Sequence, residues 1–153
     1  MKRQLDEIDR KILELLQENG RIPLKKIADE VFLSPPTVSA RIDKLENEGI
    51  ILRYSTEINP DAFDYRIKAF INLEVEPAQK AEFYPYIQQI PNVIECNCVT
   101  GDYSMLMEVL FRTTAELDRF VGQLQHFGRT KTQIVFSTNV HHRGIPTGSA
   151  LQS

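Results

Sequence analysis

Up to Glu48 the apolar residues recur at intervals of three and four, the period of helices with one buried face. In Leu24 to Glu48, LKKIADEVFLSPPTVSARIDKLENE, two such stripes stand close together. Ile27, Ala28 and Val31 mark the first, with Lys25, Lys26, Asp29 and Glu30 on the other side. Val38, Ile42 and Leu45 mark the second and leave Pro36, Thr37, Ala40, Asp43 and Lys44 outward. Ser34 stands where an N-cap is wanted and Pro35 at the first helical position, although Pro36 disfavours helical geometry at Pro35 and would let the start slip by one residue. Two short amphipathic helices joined by a tight turn predict a helix-turn-helix, while two helices of an ordinary bundle would carry the same stripes. A third helical pattern, Leu5 to Asn19, turns Ile8, Ile12, Leu15 and Leu16 inward, with Asp6 as cap and Gly20 as stop.

Beyond a Gly stop at Gly49 the period changes. IILRYSTEI is rich in β-branched and aromatic residues and predicts extended chain, a wing-like or linking strand. Asn59, Pro60 and Asp61 then mark a linker between Glu57 and Tyr65. Ile67 to Val75 alternates as a strand, Pro77 opens a helix through Ile90, and Pro91 with Asn92 closes it before a strand from Val93 to Thr100. Gly101 and Asp102 make a turn, Tyr103 to Phe111 is the next strand, Thr114 caps a helix from Ala115 to His126, and Thr132 to Val140 is the last strand. The order βαββαβ predicts an antiparallel four-stranded sheet with both helices on one face, a ferredoxin-like architecture. The fold class is therefore α+β: a helix-turn-helix domain over residues 1–50, a linking strand and hinge over 51–65, a ferredoxin-like domain over 66–142, and a flexible tail over 143–153. Phe70, Ile71, Leu73, Met105, Leu106, Met107, Val109, Ile134, Val135 and Phe136 make the strands apolar enough to predict burial of both sheet faces, most simply by a second copy of the chain.

LDEIDRKILELLQENGRIPLKKIADEVFLSPPTVSARIDKLENEGII, followed by INP, resembles the N-terminal half of the Lrp/AsnC family of bacterial and archaeal transcription regulators. IKAFINLEVEP, VIECNCVTGDYSMLMEV and TQIVFSTNV are similar to the strands of that family's effector and assembly domain, so the resemblance spans nearly the whole chain. It implies a DNA-binding regulator that dimerises, often assembles into octamers, and commonly senses amino acids. On that reading Ser34, Pro36, Thr37, Ser39, Ala40, Arg41, Lys44 and Arg53 face double-stranded DNA. Arg41 lies at the edge of the apolar stripe, so contact with DNA and packing of its stem are both open. VTGDYS resembles the family's effector loop and nominates Thr100, Gly101, Asp102, Tyr103 and Ser104. Many family members have an acidic residue where this chain has Ser104, a departure that leaves three outcomes open: a preference shifted toward a polar or less basic ligand, weaker amino-acid binding, or no effector at all. A plain hairpin turn would also use Gly-Asp.

Composition changes this picture little. The chain has 153 residues, 42% hydrophobic and 25% charged, as a globular protein does. No apolar run reaches the roughly 18 residues that cross a bilayer and no signal sequence is evident, so a cytoplasmic protein is expected. The net charge of −3 argues against nucleic-acid binding unless the basic groups are local, and Lys25, Lys26, Arg41, Lys44 and Arg53 do cluster near the helix-turn-helix. Cys96 and Cys98 are expected to be buried, quiet thiols without a disulfide. With His126, His141 or His142 they offer the alternative of a metal-sensing helix-turn-helix regulator, although paired ligand spacing is missing. No cofactor is implied. With neither a phosphate-binding Gly-rich loop nor a nucleophile motif in the sequence, an enzyme is not expected.

Overall fold

Asp6 opens α1 (Glu7–Glu18) by accepting from the Asp9 N–H at 2.8 Å. The helix ends at Asn19, which is extended at φ −146° and whose side chain accepts from the Arg21 N–H, so Asn19 rather than a left-handed Gly20 stops it. Next come α2 (Leu24–Glu30) and α3 (Pro35–Asn47). Ser34 is the N-cap of α3 and Pro35 its first residue, so the start does not slip past Pro35. Ile12, Ile27, Ala28, Val31, Val38 and Leu45 form the core of these three helices. Each large aliphatic side chain buried there is worth about 1.5–3 kcal/mol relative to exposure.

The turn of the motif has a specific chemistry. Phe32 N–H donates to the Asp29 carbonyl and Leu33 N–H to the Ala28 carbonyl, the paired closure of a helix whose next residue is left-handed. Gly49 and Ile50 close α3 in the same way, on Glu46 and Leu45. Gly49 takes φ +68° at no steric cost, whereas at the equivalent place after α2 the chain has Phe32, at φ +55° and 92% exposed. Beyond Ile51 the chain takes no regular secondary structure as far as Asn59, and among the described residues it joins no sheet and so forms no wing ladder.

The computed structural model describes residues 4–149. They divide into two units: one built from the residues up to Glu57 with those from Val140 onward, and the other spanning Ile58–Asn139. The second unit opens with a 3-10 turn, Pro60–Phe63, inside the expected linker. Its elements are β1 (Ile67–Val75), α4 (Lys80–Gln88), β2 (Val93–Cys98), β3 (Met105–Phe111), α5 (Thr114–Leu124) and β4 (Gly128–Ile134). All pairings are antiparallel, in the order β2-β3-β1-β4, which is the βαββαβ architecture expected. Ala69, Ile71 and Leu73 from β1 and Met105, Met107 and Val109 from β3 pack with Phe83 and Ile87 of α4 and Leu117, Phe120 and Leu124 of α5. Both helices therefore cover one face. The other face carries half-buried Phe70, Leu106 and Leu110 beside an ion pair of 2.9 Å between Lys68 and Glu108, so it is apolar at its centre and charged around it.

Several boundaries differ from expectation. Pro77–Gln79 form a 3-10 turn before α4, and Thr113, one residue early, caps α5 by accepting from Glu116 N–H. The β2 and β3 strands are shorter at the hairpin, ending at Cys98 and starting at Met105. The largest correction is β4, which runs through Gly128–Ile134 and not Thr132 to Val140. GRTKTQI is mostly exposed, because an edge strand is held by its backbone ladder to β1 and needs no apolar alternation. Val135 and Phe136 lie beyond the strand, and Phe136 is fully exposed.

Part of the expected tail meets α1. Gln17 donates its amide to the Ile145 carbonyl at 3.0 Å and accepts from the Ile145 N–H at 2.8 Å, and Arg10 donates to the Thr147 carbonyl at 2.6 Å. A side-chain amide that pairs with a backbone residue in both directions holds this segment on α1. The remainder of that tail, residues 150–153, lies outside the described residues.

Candidate DNA-reading helix and effector turn

The outward face of α3 is exposed at Pro36, Thr37, Ala40 and Lys44, while Ser39 is half-buried. Ser34 accepts from the Thr37 N–H at 3.4 Å, and the two hydroxyls lie 2.8 Å apart. The cap thus orients both hydroxyls at the first turn of the helix. Lys44 lies 4.0 Å from Glu48, an exposed pair of little energetic weight that leaves the ammonium free to reorient. Arg53 is exposed on the irregular chain beyond α3.

Arg41 behaves differently from its neighbours. Its Nη1 donates to Asp6 at 2.7 Å and to Asp9 at 2.8 Å, and the Asp9 side chain is completely buried. The hydrogen bond to Asp6 in particular, with Asp9 adding to it, holds the guanidinium above its ordinary pKa. The side chain therefore ties α3 to α1. Asp9 escaped the sequence reading even though it stands four residues after Leu5 and three before Ile12, on the apolar stripe. An acid at such a position asks for a cationic partner.

A second tie was also missed. Tyr54, in the chain leaving α3, donates its hydroxyl to Glu46 at 2.7 Å. Burial first, then the Glu46 bond, pushes the phenol up to about 12.

Thr100 to Tyr103 form the hairpin between β2 and β3, closed by the Val99 N–H donating to the Ser104 carbonyl at 2.9 Å. Gly101 takes φ +106°, a conformation few side chains tolerate, and a Cβ there would project into open space. Thr100, Gly101 and Asp102 are exposed. Ser104 is committed elsewhere: its hydroxyl accepts from Val75 N–H at 3.0 Å and lies 3.4 Å from the Leu73 carbonyl, just past the last β1–β3 pair, Leu73 with Met105. Its role is to pin the turn to β1. Tyr103 lies under the Arg129 guanidinium, 5.0 Å from ring centroid, and Arg129 in turn lies 3.1 Å from Glu74. Arg129 and Glu74 thus place a cation and an anion beside the hairpin, and no sequence pattern linked them to it.

The cysteines and histidines do not converge. Both thiols are free; Cys96 is half-buried, with burial the main cause pushing its pKa up, and Cys98 is exposed rather than buried as expected. His126 lies 3.4 Å from Glu82 on the surface, and His141 and His142 are exposed. Among the described residues no group of three or more His, Cys, Asp or Glu side chains is placed to hold a metal ion. No helix among them is long and apolar enough to cross a membrane.

Residues 5–51 match the winged helix-turn-helix DNA-binding family, and residues 68–145 match the Lrp/AsnC ligand binding domain. The HTH-type transcriptional regulator FL11 of Pyrococcus furiosus is 32% identical over 145 residues, covering 93% of this chain and 96% of that protein. A transcriptional regulator of Neisseria meningitidis, solved in complex with L-methionine, superposes with a TM-score of 0.89 at 28% identity over 95% of this chain and 98% of that one. LrpC of Bacillus subtilis superposes with a TM-score of 0.86 at 26% identity, covering 92% of this chain and all of that one. With both halves matched and a full-length relative at this identity, the chain belongs to the Lrp/AsnC family of HTH-type transcriptional regulators.

Proposed function

We propose that this regulator works in the cytoplasm, reading double-stranded DNA through α3, with two copies on half-sites about one helical turn, or a multiple, apart. The observation that carries the reading is the exposed α3 face, whose small and polar side chains are oriented by the Ser34 cap while the opposite face is locked in the core. Thr37 and Ser39 hydrogen-bond base edges or phosphate, Ala40 meets a thymine methyl, and Lys44 and Arg53 reach phosphates. Pro36 approaches the backbone, and Ser34 orients the turn. Arg41 acts indirectly, by fixing α3 against α1. That face carries no Arg, Asn or Gln for paired base contacts, so DNA deformability supplies much of the selectivity.

The sheet face with Phe70, Leu106 and Leu110 suits a second copy of the chain, giving a dimer from which octamers can assemble. Such a dimer makes docking of the second reading helix effectively intramolecular.

The effector in this reading is an amino acid bound between subunits at Thr100 to Tyr103, with Ser104 holding the turn. Exposed N–H groups and Arg129 take its carboxylate, and Asp102 or Glu74 takes its ammonium. The L-methionine complex of the neisserial regulator supports an amino acid of this kind. Calorimetry with L-methionine and other free amino acids tests it on the wild type, on Gly101→Val, and on Asp102→Asn, which leaves the turn unstrained. Saturable binding by the wild type that is lost or weakened in both variants, with a matching change in operator affinity, is expected. Equal binding by all three proteins would remove the effector from this turn.

A further inference from the structure

A second candidate site lies at the other end of β3. The hairpin precedes Met105, whereas a cleft of about 370 Å³ opens beside Phe111 and Arg112. A strand of this length separates the two by roughly 20 Å. The cleft falls within the range of small-molecule sites, and it has their usual division between floor and rim. Phe111 and Phe120 form the floor, 6% and 4% exposed, with half-buried Ile90 beside them. The rim carries Arg112, Arg119 and Glu116.

The rim charges are unevenly committed. Arg112 lies over the Tyr65 ring at 5.0 Å, and its Nε donates to the Phe63 carbonyl at 3.2 Å, so the guanidinium is held in place at the rim. Glu116 accepts from the Arg112 backbone N–H at 3.0 Å, while its own N–H donates to Thr113 Oγ1, a reciprocal cap that fixes the carboxylate at the start of α5. The Arg119 side chain is exposed and makes no ion pair or hydrogen bond among the described residues. Two guanidiniums and one carboxylate leave a single positive charge above an apolar floor.

We propose that this cleft binds a small monocarboxylate with a branched or aromatic apolar body, such as a 2-oxo acid. Arg119 and Arg112 take the carboxylate through their forked N–H groups, and the body rests on Phe111 and Phe120. A zwitterion fits less well, because Glu116 has already given one oxygen to the helix cap and the net charge of the rim matches a monoanion.

The chain contains no Trp, so Tyr65→Trp introduces a single fluorescent reporter at the rim of the cleft in the full-length protein. Titration with 4-methyl-2-oxopentanoate is expected to change its emission saturably, with a Kd of about 1 mM or tighter. L-leucine should bind at least about tenfold more weakly, and 4-methyl-1-pentanol should give no saturable change. Arg119→Gln in the same background should weaken the oxo acid about tenfold or more, and Gly101→Val should leave it unaltered. Calorimetry on the protein with Tyr65 intact should return the same ordering, which guards against an effect of the reporter. No saturable response to the oxo acid in either measurement, an equal response to the alcohol or to L-leucine, or indifference to Arg119→Gln would overturn the assignment. Loss of the response in Gly101→Val would place the ligand at the hairpin and overturn it as well, whereas failure of amino-acid binding at the hairpin alone would leave it standing.

Discussion

Replacing Arg41 separates a residue that touches DNA from one that positions the helix that does. In Arg41→Ala the Asp9 carboxylate, completely buried, loses a charged hydrogen bond of 2.8 Å, and half-exposed Asp6 loses one of 2.7 Å. Removing one partner of a fully buried ion pair costs about 3–5 kcal/mol. The Arg41 side chain is 26% exposed and Asp9 takes part in a further interaction, so water and that contact compensate part of the loss. We expect about 2–3 kcal/mol of destabilisation in the helix-turn-helix unit, which for a small domain lowers its melting temperature by roughly 10–20 °C. Scanning calorimetry of the full chain reads this directly. A double-mutant cycle with Asp9→Asn isolates the pair, and the two changes should be strongly non-additive. Because the guanidinium pKa lies above its ordinary value, this contribution should persist unchanged from neutral to mildly alkaline pH. An unchanged melting temperature, with a salt dependence of DNA binding reduced by about one ion, would make Arg41 a phosphate contact and refute the positioning role.

Two glycine-related positions give predictions of opposite sign. Phe32→Gly should stabilise the helix-turn-helix unit by about 0.5–1 kcal/mol, since it removes a left-handed aromatic residue that is 92% exposed and has little burial to lose. A lower melting temperature would show that the aromatic ring contributes contacts of its own. Gly128→Ala should destabilise the sheet unit by about 3 kcal/mol or more, because a Cβ there would lie 1.7 Å from the Glu74 carbonyl oxygen. Unchanged thermal unfolding of that unit would refute this.

The sequence made the helices and the order of the strands legible because both depend on periodic burial. Val38 and Leu45 in α3, and the alternation of Ala69, Ile71 and Leu73 in β1, are buried as their spacing predicts. The edge strand β4 was displaced in the reading because Ile134, Val135 and Phe136 have strand-like side chains, whereas the real strand is fixed by its ladder to β1. The candidate site was legible where it is local: the Ser34 cap and the outward face of α3 follow from short spacings. Its distant parts were not, because Arg41 with Asp9 and Arg129 with Tyr103 are brought together by packing that no local pattern encodes. Phe32 and Gly49 show the limit from the other side. The backbone asks for the same left-handed residue after both helices, yet only one position has a glycine to advertise it.

Contact between the exposed face of α3 and DNA can be probed at Lys44, because its side chain is exposed and its weak ion pair with Glu48 contributes little to the fold. Binding of wild type and Lys44→Ala should be measured by fluorescence anisotropy, between about 50 and 200 mM salt, on a duplex selected by the wild type from a random pool and on unrelated DNA. Lys44→Ala should bind both duplexes more weakly, with a salt slope smaller by about one ion per subunit and an unchanged melting temperature. Affinity and slope equal to those of the wild type on both duplexes would contradict it.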